Sequence, residues 1–252
     1  MYKAYLLLLS AALAAALPGS CSRVGSSKSA DLPQTGEGKN LPQPPRGSRL
    51  LHIALGIGVQ NYTCASVGAS AVATGALAML YDITNLFPGQ GNASLSQEDW
   101  DSLTSRALRS QNVPLNFDTS LGGRVKPDSP GASRTDPFPN DGPLSLECPD
   151  DALPFLGHHF FNSAGVPVFS LSGGEVNLLA EKLASVDAPA TADRGPDGTG
   201  AVAWLQLGAI EGTVGDVKLV YRVLTAGGNS HGCQNAAGED STKYAAQYWF
   251  FA

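Results

Sequence analysis

Hydrophobic and polar positions divide the chain into three parts. Residues 4–17 (AYLLLLSAALAAAL) are apolar apart from Ser10 and follow a basic start at Lys3. Residues 22–49 contain almost no large apolar side chain, so they cannot bury enough surface to offset their ordering entropy. From Leu50 onward, short apolar runs alternate with clusters of Gly, Pro, Ser, Asn and Asp. LLHIALGIGVQNYTCAS and AVATGALAMLYDI are glycine-interrupted, which disfavours long helices and predicts strands. The second also tolerates a helical reading, because Ala and Leu suit helices.

Residues 96–110 (SQEDWDSLTSRALRS) predict the one clear helix. Ser96 can cap it, Glu98 and Asp99 sit in its first turn, and Trp100, Leu103 and Ala107 share a face. Residues 120–151, dense in Gly, Pro, Ser and Asp, form a long irregular surface insertion. Beyond it come HHFFN, VPVFSL, AVAWLQLGAI, VKLVYRVLT and KYAAQYWFF, separated by turn signals. The segment EVNLLAEKLASV (175–186) fits either strand or helix. The last run is apolar at nearly every position and should be a central strand buried on both faces. The expected fold is mainly β: an antiparallel sandwich or barrel with one short helix and the 120–151 insertion.

The N-terminus reads as an export signal. A 14-residue apolar run is shorter than the roughly 20 residues that span a bilayer, but it suits a signal h-region, and Ala14 and Ala16 give a cleavage pattern. The domain organisation is then a signal over 1–19, a disordered spacer over 20–49 and a single β-rich domain over 50–252. Lipidation at Cys21 is a lesser alternative, because Leu17 lies one place too far from it. No other stretch reaches transmembrane length, so no transmembrane anchor is expected and the protein should be secreted, extracellular or attached to the cell wall. Asn61 and Asn92 head sequons for N-glycosylation. Cys21, Cys64, Cys148 and Cys233 are too far apart for C-x-x-C chemistry and suggest two disulfides with three alternative connectivities.

Composition narrows the partners. The net charge of −6, with no basic block, excludes nucleic acid. Gly56-Ile57-Gly58 resembles a dinucleotide loop, but its third glycine is replaced by Asn61 and no βαβ pattern surrounds it, so a glycine pair within a strand is expected. Asp193, Asp197 and Gly198 lack calcium-loop spacing and predict a turn. His158 and His159 are adjacent and must face opposite sides of a strand. A metal would therefore need His52, His231 or a carboxylate nearby, and neither metal nor cofactor is expected. Arg222, inside an apolar strand, predicts either a structural pair with Glu211 or Asp216, or an anion contact in a pocket.

GVQNYTC (58–64), GHHFF (157–161), VAWLQL (202–207), VYRVLTAGGN (220–229) and YAAQYWFF (244–251) together resemble the secreted fungal and bacterial family catalogued as domain of unknown function 3455. The resemblance covers roughly residues 50–252. It implies an extracellular domain and a core disulfide between Cys64 and Cys233, leaving Cys21 and Cys148 as a second pair. Fungal members are often labelled malate dehydrogenase, a label the failed dinucleotide fingerprint does not support. The reading of the whole chain is a non-catalytic module that binds a small molecule, a glycan or a surface through a cleft near His158, His159, Trp204, Tyr221 and Arg222. The alternative is an extracellular hydrolase or metal-dependent oxidoreductase with its site near the histidine pair.

Overall fold

Alternation of inward and outward side chains along long strands, interrupted by a few register shifts, builds the molecule. The computed structural model describes residues 31–118, 123–147, 149 and 152–252. Strands β1 (Leu50–Cys64) and β2 (Val72–Asp82) are followed by helix α1 (Gln97–Ser110) and the two-residue strands β3 (Phe117–Asp118) and β4 (Gly131–Ala132). Then come β5 (Phe155–Phe161), β6 (Pro167–Leu171), β7 (Val176–Val186), β8 (Trp204–Ala209), β9 (Leu219–Gly227) and β10 (Gly238–Phe251).

Eight of these strands close into an antiparallel barrel. Each pairs with the next in sequence, β5 follows β2, and β10 returns to β1 over fourteen aligned residue pairs. Closure leaves the barrel no free edge, and eight strands enclose an interior that side chains can fill or a small ligand can share. The barrel alternative is therefore the one adopted. Both ambiguous segments are strands, β2 and β7, because each is needed to complete the ring. β10 lies between β1 and β9 and is buried continuously from Tyr244 to Phe251, as expected of the central strand.

Alternation sends Ile53, Leu55, Ile57 and Val59 of β1 outward, while Ala54 faces in. The outward apolar face is covered by α1. Ser96 caps the helix by accepting from the Asp99 N–H, and Trp100, Leu103 and Ala107 are fully buried. Trp100 meets Phe87 and Trp249 edge-on, with ring centroids 5.3–6.3 Å apart. At the other end of the helix Arg109 grips Asp193, which also accepts from Ser105. The arginine holds the Asp193 carboxyl down at about 2.

Two regions expected to be loose are partly tied down. Of the expected spacer, residues 31–49 carry Leu32 and Leu41, both buried in the outer cluster with Trp100. Two leucines in a polar context suffice because the barrel already presents an apolar face there. Within the insertion, Arg124 bridges to Glu239 of β10, and Leu144 pairs with Leu153. Cys64 and Cys233 form a disulfide with Cα atoms 5.4 Å apart, joining the end of β1 to the β9–β10 loop. Cys21 and Cys148 lie outside the described residues.

Candidate ligand cavity

The barrel interior is divided along its axis. One half is a dry plug of Leu80, Phe169, Leu171, Leu178, Val220 and Phe250. The other half is a cavity of about 470 Å³, to which all eight barrel strands contribute. Its apolar wall includes Ala76, Phe161, Leu205 and Leu207, and its polar groups are Gln60, His159, Arg222, Lys182 and Tyr248. The glycine pair of β1 sets how closely its neighbours pack against that strand. A Cβ at Gly56 would lie 2.5 Å from the Tyr248 ring, and one at Gly58 would lie 1.8 Å from the Leu77 carbonyl oxygen. These glycines give strand and ring room to approach; they form no strand-to-helix turn.

Arg222 is 8% exposed. Its Nε and Nη2 both donate to the Ala203 carbonyl, at 3.2 and 2.8 Å, and among the described residues it has no ion-pair partner. The structural pair expected with Glu211 or Asp216 is thus not formed, because the register of β9 points the guanidinium into the barrel. Asp240, a buried carboxylate on β10, is occupied by His231 Nδ1 at 2.7 Å and the Ser230 hydroxyl at 2.6 Å. Burying a guanidinium without a counter-charge is costly, so this cavity wall is electrostatically incomplete.

Apart from Lys182 on β7, the remaining polar side chains lining the cavity are neutral. His159 stacks on Phe169 with centroids 4.1 Å apart and contacts the Val168 carbonyl through Nδ1 at 2.8 Å. Burial pushes its pKa down to about 4, with Arg222 adding to the effect. Tyr244 and Tyr248 share a hydrogen bond of 2.8 Å between their hydroxyls. Burial raises the Tyr248 phenol, and neighbouring Arg222 partly opposes that rise. Gln60 is 7% exposed; its side chain lies near enough to the Tyr244 phenol to lower its pKa slightly, and its Nε2 makes no hydrogen bond within normal distance among the described residues.

The five sequence candidates are split by the barrel wall. His159 and Arg222 meet in the cavity. His158 points outward, packed on Phe138 with Nε2 3.3 Å from Asp141. Tyr221 is buried outside the barrel against Phe251, its hydroxyl accepting from Gln206 at 2.8 Å. Trp204 is also outward, 2% exposed, beside α1 in a separate cavity of about 290 Å³. Gln60, Lys182 and Tyr248 were missed by the sequence reading. Their signal is a polar or phenolic residue at an inward position, which can be recognised only once the register is known.

The histidines do not assemble a metal or hydrolytic centre. His52 pairs with Asp82 at 3.1 Å, and His231 with Asp240. Among the described residues no group of three metal-ligating side chains forms. Asp240 orients His231 as a triad acid would, but the Ser230 hydroxyl donates to the carboxylate, and among the described residues His231 Nε2 has no hydrogen-bond partner, its nearest carboxylate being Asp197 at 3.9 Å. A larger cavity of about 600 Å³ lies on the outer wall against the insertion. Its arginines, Arg124 and Arg134, share Glu239 at 3.7 and 2.5 Å, so its charge is largely compensated.

Fold and cavity together define an up-and-down β-barrel with an internal, positively charged half-chamber. The chain matches, over residues 44–252, the family described as "Protein of unknown function (DUF3455)", and it belongs to that family. Neither the curated proteins nor the solved structures contain a match to it. Nothing in these findings supports a malate dehydrogenase activity.

Proposed function

We propose that the protein is an exported, non-catalytic module that holds a small molecule inside the barrel. The observation that carries the reading is the 470 Å³ half-chamber, within the 300–1,000 Å³ typical of ligand pockets and lined by a mostly apolar wall with a few convergent polar groups. An unfilled half-chamber in a barrel whose other half is closely packed argues for an occupant. A glycan is disfavoured, because the candidate aromatic platforms Trp204 and Tyr221 are buried against protein. Export is supported by the N-terminal apolar run and by the Cys64–Cys233 disulfide, which suits an oxidising compartment. Of the two sequons, Asn92 stands exposed in a turn, whereas the Asn61 amide oxygen accepts from Ser241 within the sheet. Asn92 is therefore the better glycan acceptor.

Native mass spectrometry of the protein purified undenatured from the organism that makes it tests the reading. The expected spectrum carries a non-covalent adduct of roughly a few hundred daltons, the size such a pocket holds. Ala76→Phe, which fills the chamber, should abolish it. A bare protein mass, or an adduct that survives the filled chamber, would refute the proposal.

A further inference from the structure

The half-chamber has a direction, and its chemistry selects a ligand class. Every charged side chain on its wall is a cation: Arg222 inside and Lys182 at the exposed rim, with no Asp or Glu among the lining residues. In a chain with a net charge of −6 this local excess is contrary to the overall balance. Arg222 donates two of its N–H vectors to one carbonyl, and the only other side chain bonded to its guanidinium among the described residues is the neutral Tyr248 phenol, so its charge stays without a counter-charge. Gln60 Nε2 is a buried donor with no hydrogen-bond partner among the described residues. These two side chains are each more than nine-tenths buried and line the same cavity, from β9 and β1. His159, also on this wall, is already engaged with Val168 and adds no charge near neutral pH.

A buried guanidinium and an unfilled amide donor lining one cavity are complementary to a planar oxyanion, which accepts hydrogen bonds at both oxygens. Next to these donors the wall is apolar: Ala76 pairs with Gln60 across β1–β2, Leu205 pairs with Arg222 across β8–β9, and Phe161 and Leu207 extend the surface. The far half of the barrel is plugged by Phe169 and Phe250, so only a short body fits beyond the head group. Resting on the cavity reading above, we infer that the occupant is a small organic carboxylate, its head held by Arg222 and Gln60 and its short apolar body against the β2–β5–β8 wall. Lys182 at the rim would raise the local anion concentration and speed entry.

The test is titration of the full exported chain with octanoate, octanamide and inorganic sulfate, followed by backbone and methyl NMR shifts. The carboxylate and the amide share shape and apolar body, and differ in charge. Octanoate should bind at least tenfold more tightly than octanamide, with shifts centred on Leu205, Leu207 and Ala76, and more tightly than sulfate, which lacks the body. Arg222→Gln should remove the preference for octanoate over octanamide. If that variant does not fold, Gln60→Leu should weaken octanoate severalfold and octanamide less, because a donor bonded to a carboxylate makes the stronger hydrogen bond. Equal binding of octanoate and octanamide in the chamber would overturn the carboxylate inference and leave the cavity reading standing. Sulfate binding as tightly as octanoate would overturn it in favour of an inorganic anion. A preference that survives the folded variant would also overturn it, by placing the anion elsewhere. No shift at chamber residues with any probe would overturn both readings.

Discussion

Gly58→Ala separates a structural glycine from a nucleotide-binding one. In a strand interior, replacing Gly by Ala ordinarily stabilises by about 0.5–1 kcal/mol, through lower chain entropy in the unfolded state. Here the new Cβ would sit 1.8 Å from the Leu77 carbonyl oxygen and 2.7 Å from the Ala78 Cα, both backbone atoms of β2. Neither can rotate away, so relief requires β1 and β2 to part locally. Overpacking of this kind costs about 1–3 kcal/mol, and loss of one or two ladder hydrogen bonds adds about 1 kcal/mol each. The net expectation is a destabilisation of about 2–4 kcal/mol, or a fall in Tm of roughly 5–15 °C for a chain of this size. Gly56→Ala meets the Tyr248 ring at 2.5 Å, a side chain that can swing into the chamber, and should cost less, about 1–2 kcal/mol. Urea unfolding followed by tryptophan fluorescence reads both. A Gly58→Ala protein as stable as the parent, or more so, would refute the packing account of this glycine pair.

Three other substitutions probe different parts of the account. His159 is neutral when folded, with a pKa near 4 against about 6.5 unfolded, so the unfolded chain takes up a proton that the folded one refuses. Stability should therefore fall by up to about 3 kcal/mol as pH drops from 6.5 to 4, and His159→Gln should flatten that slope in pH-dependent chemical denaturation. An unchanged slope would contradict the burial assigned to the ring. The Cys64→Ala/Cys233→Ala double variant loses a cross-link spanning 169 residues and should be less stable by about 2–5 kcal/mol in calorimetry; a midpoint within error of the parent would contradict its structural role. Leu41→Ala should cost about 2–3 kcal/mol in the same assay, because Leu41 is buried in the cluster under α1, whereas a free spacer would lose nothing.

Local chemistry made much of the fold legible in the sequence. Ser96 with Glu98 and Asp99 marks the start of α1, and the run Tyr244 to Phe251 marks the doubly buried β10. What the sequence could not choose was sandwich or barrel, because closure depends on β1 pairing with β10, a contact between the two ends of the domain. The site was half legible for the same reason. The His158–His159 pair shows that one ring faces inward, but which one depends on register. Tyr221 and Arg222 are likewise adjacent and lie on opposite sides of the wall. Leu32 and Leu41 were hidden by their polar neighbours, since the apolar surface they cover is supplied by distant strands.

The central claim is that the half-chamber inside the barrel, and not the larger outer cavity, receives the ligand. Intermolecular NOEs between bound octanoate and the methyl groups of the protein test this most directly. The account predicts contacts from the alkyl chain to Ala76, Leu205 and Leu207 inside the barrel. Contacts to Leu77 and Ala132, which line the outer cavity, or no contacts at all, would contradict it.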